Sequence, residues 1–254
     1  MITVDREKCL DCGSCARVCP RGVMSYDGAH LTVRGDRPCL GCMHCTAACP
    51  VQAIHLDSVP AQLEYPPRED DELRRLMTER RSVRHYRAEL PPRETVERAI
   101  HTTAWAPSGK NVHKTGFTVV WGAEQTERIF DLTMELCSPE ATADISRAME
   151  RGVNLLTCSA PCVIVGWAPE DAPSPDVDTA IAMTMIELQL VREGLSTCWG
   201  GFLTGLANCT PALADALGVP EGCRVYCALM VGYADGERFC GLPYRAEPQT
   251  HWIG

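Results

Sequence analysis

The chain of 254 residues is 45% hydrophobic and 22% charged, so it holds enough apolar side chains to pack one or two globular domains. Its 24 Lys and Arg against 33 Asp and Glu give a net charge of −9, the opposite of the basic balance typical of nucleic-acid binders. No apolar leader with a cleavage site opens the sequence, which predicts a cytoplasmic protein whose cysteines suit metal binding better than disulfides. Two uncharged stretches, 152–169 and 195–214, are interrupted by Gly, Pro, Thr or Asn and predict buried core rather than membrane spans.

The first block, residues 1–58, contains one cysteine spacing twice. The sequence CLDCGSCARVCP at residues 9–20 recurs as CLGCMHCTAACP at residues 39–50. Three thiolates at positions i, i+3 and i+6 fit three corners of an iron–sulfur cube, and the fourth cysteine, followed by Pro, ligates the other cube. The spacing therefore predicts two [4Fe–4S] clusters, one held by Cys9, Cys12, Cys15 and Cys49, and the other by Cys39, Cys42, Cys45 and Cys19.

Zinc and disulfides are the alternative interpretations of these cysteines. A zinc site built from CxxC pairs would leave two cysteines of each copy unused. A disulfide scaffold disagrees with the expected compartment. The repeat resembles that of the bacterial two-cluster ferredoxins, and the resemblance covers all of residues 1–58.

The rest of the chain divides into a linker and a second block. Residues 59–72 contain three prolines and five acidic residues, a composition typical of an extended linker. In residues 73–254, apolar patterns predict a mixed α+β or α/β fold. The predicted helices begin near Leu73, after Pro91-Pro92 and at Asp176, and the predicted strands cover 116–121, 162–167 and 224–232. The helix over 176–192 is apolar nearly all round, which is typical of a core or a subunit interface.

Four segments of the second block combine residue types that suit a phosphorylated cofactor. They are the arginine segment at 80–86 (RRSVRHY), the PSGKN segment at 106–113 (APSGKNVH), the CWGG segment at 194–201 (GLSTCWGG), and Gly232-Tyr233 with 242–245 (LPYR). Guanidiniums and a hydroxyl suit a phosphate and polar ring edges, although a basic turn alone is often only solvated. The sequence contains neither a G-x-G pair nor a Walker A motif, which disfavours a Rossmann nicotinamide site.

In this order the four segments resemble the FMN-dependent nitroreductase family over roughly residues 73–254. The whole chain is similar to the ferredoxin-fused members of that family. The resemblance implies an α+β fold with a central antiparallel sheet, built as an intertwined homodimer with FMN at the interface. Where the family often has Gln-Pro-Trp after the Asn, this chain has Val112-His113-Lys114, so the substrate stays open.

The resemblance also implies which residues bind FMN. The residues implied to contact the phosphate, the ribityl chain and the pyrimidine side of the ring are Arg80, Arg81, Ser82 and Arg84. The other subunit contributes Pro107, Ser108, Gly109 and Asn111. The residues beside the isoalloxazine are Cys198, Trp199, Gly200 and Gly201. A second phosphate partner is Arg245.

No residue has a defined catalytic role at this stage. The two candidates are Cys198, beside the flavin, and His113, as a proton donor. The alternative for each is a side chain that only packs. The other cysteines of the second block show no cluster spacing and are expected to pack as small apolar residues: Cys137, Cys158, Cys162, Cys209, Cys223, Cys227 and Cys240.

These features together predict an iron–sulfur flavoprotein oxidoreductase. Electrons would pass through two clusters to FMN and then to a small organic acceptor of the nitroaromatic, quinone or activated-alkene class. The expected donor is a free ferredoxin or a reduced nicotinamide, with no nucleic-acid or membrane partner. The alternatives are a dehydrogenase that works in reverse toward a ferredoxin, a non-catalytic redox carrier or sensor, and a flavin-handling protein. The sequence leaves open the substrate, the direction of electron flow, the donor and the mobility of the linker.

Overall fold

The computed structural model of the chain describes residues 2–57, 71–236, 239–243 and 245–254. It divides into two compact units, Met1–Glu79 with Glu237–Gly254, and Arg80–Gly236. The predicted linker at 59–72 lies outside the described residues except for its last two positions. Tyr244 of the fourth predicted segment also lies outside them. This division differs from the predicted one, in which the second block covers residues 73–254. Residues 73–79 and 237–254, the two ends of that block, belong to the first unit instead.

The first unit is built from short strands and helices around its cysteines. Its strands form two antiparallel pairs, β1 (Ile2–Val4) with β4 (Ile54–Leu56), and β2 (Met24–Tyr26) with β3 (Leu31–Val33). Its helices are α1 (Ser14–Arg17), α2 (His44–Ala48) and α3 (Glu72–Glu79). Buried side chains from these strands, among them Met24, Leu31 and Ile54, pack against the buried cysteines.

Each cysteine repeat turns sharply into its short helix. The turn residue is Gly13 before α1 and Met43 before α2, and both have a left-handed backbone, with φ of 72° and 63°. A Cβ on Gly13 would lie 2.6 Å from Cδ1 of Tyr26, so the first turn requires glycine. The two repeats therefore share a backbone path despite different residues at the turn.

The second unit contains a four-stranded, fully antiparallel sheet. Its strands, in the order β5-β6-β8-β7, are β5 (Gly116–Trp121), β6 (Cys162–Pro169), β8 (Cys223–Gly232) and β7 (Ser196–Trp199). Its α-helices are α4 (Arg93–His101), α5 (Ala123–Leu136), α6 (Pro139–Met149), α7 (Pro175–Arg192), α8 (Gly201–Cys209) and α9 (Pro211–Ala216). Two 3-10 turns cover Thr102–Trp105 and Gly109–Asn111. The α+β fold with a central antiparallel sheet is confirmed.

Helices cover both faces of this sheet. Alternate residues of β6 belong to different cores, with Val163 and Val165 in one and Cys162 and Ile164 in the other. The second of these cores also contains the buried face of α7. A strand buried on both faces reads as one continuous apolar run, which is why the pattern over 162–167 is so clear.

Within the described ranges, no helix combines the length and the apolar character that a membrane span needs.

Candidate functional site

Two small cavities in the first unit are lined by cysteines. The cysteines of the first are Cys9, Cys12, Cys15 and Cys49. The cysteines of the second are Cys19, Cys39, Cys42 and Cys45. The structure thus brings three cysteines of one repeat together with the fourth cysteine of the other repeat around each cavity.

Backbone N–H groups point at the sulfurs of these cavities. Ala53 donates to Sγ of Cys49 at 3.2 Å, and Gly41 donates to Sγ of Cys39 at 3.3 Å. Hydrogen bonds of this kind stabilise thiolates and tune iron–sulfur clusters. Four thiols around each cavity, with backbone N–H donors to their sulfurs, are a donor set that fits a [4Fe–4S] group.

The innermost thiols resist ionisation. Burial raises the pKa of the Cys15 thiol to about 12, and the nearby charge of Cys49 acts in the same direction. Burial, with the charges of Cys19 and Cys42 added, likewise raises the pKa of the Cys45 thiol to about 12. A thiol must lose its proton to become a ligand, so bound cations have to offset this cost.

Within the described part of the chain, no three His, Cys, Asp or Glu side chains are grouped to hold a single metal ion. The cysteines instead surround the two cavities described above.

In the second unit, the buried carboxylate of Glu187 on α7 connects the arginine segment to β7. Thr197 donates to its Oε1 at 2.8 Å and Trp199 donates through Nε1 to its Oε2 at 3.0 Å. Nη1 of Arg80 donates to the same Oε1 at 3.3 Å, and the Glu187 side chain is only 4% exposed. Since buried Glu is rare unless paired, these three donors explain its position.

Backbone contacts bring the same two segments together. Ser82 forms a parallel bridge with Thr197, and the N–H of Val83 donates to the carbonyl oxygen of Thr197 at 2.9 Å. Nη1 of Arg81 donates to the carbonyl of Arg80 at 2.7 Å, which folds that guanidinium onto its own segment. Nη1 of Arg84 donates to the carbonyl of Ser82 at 3.1 Å, so this guanidinium also folds onto its own segment. The predicted residues of the arginine and CWGG segments therefore lie together.

The CWGG segment ends at the start of α8 with open space beside it. No heavy atom lies within 4 Å of the point where a Cβ on Gly201 would be, whereas a Cβ on Gly200 would lie 3.0 Å from Sδ of Met230. Trp199 and Phe202 are large apolar side chains that are substantially exposed next to this space. Cys198 is buried, with its Sγ 3.7 Å from the carbonyl of Trp199.

The PSGKN segment lies against the first turn of α7. The N–H of Gly109 donates to both carboxylate oxygens of buried Asp178, at 2.9 and 3.0 Å. The N–H of His113 donates to Oγ of Ser108 at 3.0 Å, and Nε2 of His113 lies 2.9 Å from Oδ1 of Asn111. Pro107 lines the same open cleft as Ser108, His113 and Asp178, with about 870 Å³ of empty space.

The two groups of predicted flavin residues lie on different sides of α7. Asp178 and Glu187 are nine positions apart, which in an α-helix is two and a half turns, or about 14 Å along the axis. They therefore project from opposite faces. The PSGKN segment on Asp178 and the arginine and CWGG segments on Glu187 are therefore two separate groups within one chain, called half-sites below.

Sequence reasoning missed both of these acidic residues. The available signal was their position, since Asp178 and Glu187 interrupt a helix that is apolar nearly all round. A carboxylate at a core position needs a partner, so each marks a place where a polar segment must pack.

Arg245 lies elsewhere, in the first unit. Its Nη1 and Nη2 both donate to the carbonyl oxygen of Cys42, each at 3.3 Å. The structure groups it with the second cysteine repeat rather than with the unit that holds the other predicted flavin residues.

Comparison with protein families identifies both parts of the chain. The Nitroreductase family matches residues 77–233, well over half of the chain, and the chain belongs to this family. A 4Fe–4S dicluster domain matches residues 8–54. The chain is therefore an oxidoreductase of the nitroreductase type that carries an iron–sulfur domain of the ferredoxin kind.

Solved structures agree with this assignment. A nitroreductase with bound FMN from Bacteroides fragilis superimposes with a TM-score of 0.62 at 22% identity, over 73% of this chain and 100% of that one. A nitroreductase with bound FMN from Desulfitobacterium hafniense gives 0.59 at 25% identity, with the same coverage. These likenesses support the nitroreductase fold of the larger unit.

Curated relatives match short stretches of this chain. An uncharacterised ferredoxin of Methanocaldococcus jannaschii is 38% identical over 56 residues, which are 21% of this chain and 73% of that protein. An archaeal-type glutamate synthase of Thermotoga maritima is 41% identical over 51 residues, which are 20% of this chain. The chain spans only 10% of the length of that synthase.

Proposed function

We propose that this protein is an iron–sulfur flavoprotein that reduces a small organic acceptor of the nitroaromatic, quinone or activated-alkene class. The observation that carries the proposal is the pair of four-cysteine cavities in a chain whose larger part is a nitroreductase-family domain. When bound, two [4Fe–4S] clusters supply one-electron transfer and FMN supplies hydride-equivalent chemistry. A free low-potential ferredoxin is the donor that the cysteine-rich unit favours.

The residues around β7 fit FMN. The arginine segment offers guanidinium charge for a phosphate, and the Arg80 side chain is one-third exposed although Glu187 orients it. Open space at Gly201, flanked by exposed Trp199 and Phe202, suits a flat aromatic ring. The N–H groups at the start of α8 suit polar ring atoms. These residues would bind and orient the flavin, and Glu187 would hold the two segments in register.

We also propose a homodimer in which each flavin site takes residues from two copies. The half-sites on opposite faces of α7 support this, because one chain presents them in different directions. A second apolar face of α7 supports it too. Val177 is 53% exposed, and Ile181, Met185 and Leu188 follow at helical spacing and are only half-buried. A second copy would cover this face and supply the PSGKN segment to the flavin.

Electron delivery from a ferredoxin to an acceptor tests the function. Under anaerobic conditions, protein reduced by a ferredoxin system should be reoxidised by stoichiometric nitroaromatic, quinone or activated alkene, as followed by its visible spectrum. Cys49→Ala should slow ferredoxin-driven turnover at least about tenfold, because it removes a ligand of the first cluster.

Cys209→Ala is the matched control, because Cys209 is exposed and lines neither cavity. This variant should turn over at the wild-type rate. Reduced protein that keeps its electrons in the presence of all three acceptor classes would contradict the proposal and favour a redox carrier. Consumption of FMN during turnover would favour a flavin-handling role instead.

A further inference from the structure

The two cysteine repeats differ in how much of their helix is covered. In α2, all five residues from His44 to Ala48 are buried. In α1, which begins at the equivalent point of the first repeat, Cys15 alone is buried. Since the backbone turns are alike, the difference comes from what packs on the second repeat.

The C-terminal segment packs on the second repeat. The N–H groups of Cys240 and Gly241 both donate to the carbonyl of Ala47, at 2.8 and 3.2 Å. The ring of Phe239 meets His44 edge-on, with centroids 5.3 Å apart. Arg245 then reaches the carbonyl of Cys42 with two guanidinium nitrogens. The contacts follow the second repeat from Cys42 to Ala47.

The charges next to the two cavities also differ. The loop of the first cavity contains Asp11, whose Oδ1 lies 3.9 Å from Sγ of Cys9 and is partly balanced by Arg6 at 3.6 Å. The equivalent position of the second loop is Gly41. The second cavity thus lacks that carboxylate, is lined by Arg21, and has the guanidinium of Arg245 on the backbone of Cys42, one of its lining cysteines.

We propose that Arg245 sets the reduction potential of the cluster in the second cavity, holding it above that of the cluster in the first. The inference rests on the two clusters proposed above. One-electron reduction adds one negative charge to a cluster, so a nearby cation stabilises the reduced form and a nearby carboxylate destabilises it. Arg245 would thereby make the second cluster the easier of the two to reduce.

Redox titration of the full-length protein followed by electron paramagnetic resonance tests this. In Arg245→Gln, one of the two midpoint potentials should fall, with about a fivefold lower reduced-to-oxidised ratio at fixed potential. Arg245→Lys should stay near wild type because it keeps the charge. Asp11→Asn should raise the other midpoint. Arg34→Gln changes the net charge by the same amount as Arg245→Gln, but Arg34 is paired with Asp36, so this variant should move neither midpoint potential.

Two results would overturn the proposal. One is that Arg245→Gln and Asp11→Asn move the same midpoint. The other is that Arg245→Gln leaves both midpoints unchanged, and a loss of bound FMN in that variant would then assign Arg245 to the flavin phosphate. A wild-type measurement decides the matter even if a variant loses iron. Raising the ionic strength should narrow the gap between the two midpoints, since exposed charges are screened, and a constant gap contradicts the proposal.

Discussion

At the scale of single residues, the second unit depends on two buried carboxylates. Asp178 and Glu187 each accept hydrogen bonds from a segment that carries predicted flavin residues. Burying a carboxylate without partners is costly, so the energetic requirement of each acid fixes the position of the segment that satisfies it. Both acids thus link the packing of α7 to the geometry of the site.

Replacing Glu187 should therefore affect both stability and flavin binding. In Glu187→Gln, a single amide oxygen remains to accept from three donors, and the amide N–H₂ group faces a donor. We expect the free energy of unfolding to fall by about 1–3 kcal/mol and FMN to bind more weakly. Thermal or denaturant unfolding, with fluorescence titration of FMN, measures the two effects.

Glu193→Gln, at the C-cap of the same helix, is the matched control. Glu193 pairs with Arg98 at 3.2 Å, and that arginine side chain is 56% exposed. The control should cost no more than about 1 kcal/mol and leave FMN binding unchanged. Equal effects of the two variants would show that Glu187 has no special role.

At the scale of elements, the patterns that were strong in the sequence correspond to the buried elements. The predicted strand over 162–167 lies in β6, whose observed range is Cys162–Pro169, and the predicted helix over 176–192 is α7, whose observed range is Pro175–Arg192. β7 lies in the CWGG segment, for which no strand was predicted, because a four-residue edge strand leaves little room for a periodic pattern.

Helix α5 had a weak signal for a different reason. Two of its three buried residues, Thr126 and Thr133, are threonines. The Thr126 hydroxyl donates to the carbonyl of Ala123, and the Thr133 hydroxyl donates to the carbonyl of Ile129. A polar residue type on the buried face lowers the apparent amphipathicity, although its hydroxyl is satisfied locally.

The proposed dimer gives α7 a second testable property. Ile181→Glu places a charge on its half-buried outer face without entering the core. If that face is covered by a second copy, the variant should become monomeric and retain little FMN, because a buried unpaired charge costs several kcal/mol. Sedimentation or light scattering measures the mass.

Leu136→Glu is the control for this prediction. Leu136 lies on α5 and is 38% exposed, and its replacement also exchanges an apolar side chain for a carboxylate. It should stay dimeric with FMN bound. A dimeric, flavin-loaded Ile181→Glu protein would exclude α7 from the interface.

At the scale of the whole molecule, the sequence predicted the two functional parts but not the path of the chain through them. The cysteine spacing and the four ordered segments are local signals, and both families were confirmed. The return of the C-terminal segment to the first unit is a contact between residues about 190 positions apart, such as Gly241 and Ala47. No local pattern encodes such a contact, so the bond from Arg245 to the carbonyl of Cys42 was not predicted.

The content of cofactors tests the central claim most directly. Protein purified under anaerobic conditions should be analysed for iron, acid-labile sulfide, zinc and released flavin per chain. The two cavities and the nitroreductase unit predict about eight iron, about eight sulfide and about one FMN, with no zinc. Zinc without sulfide would contradict the cluster assignment, and iron and sulfide without any flavin would contradict the role of the second unit.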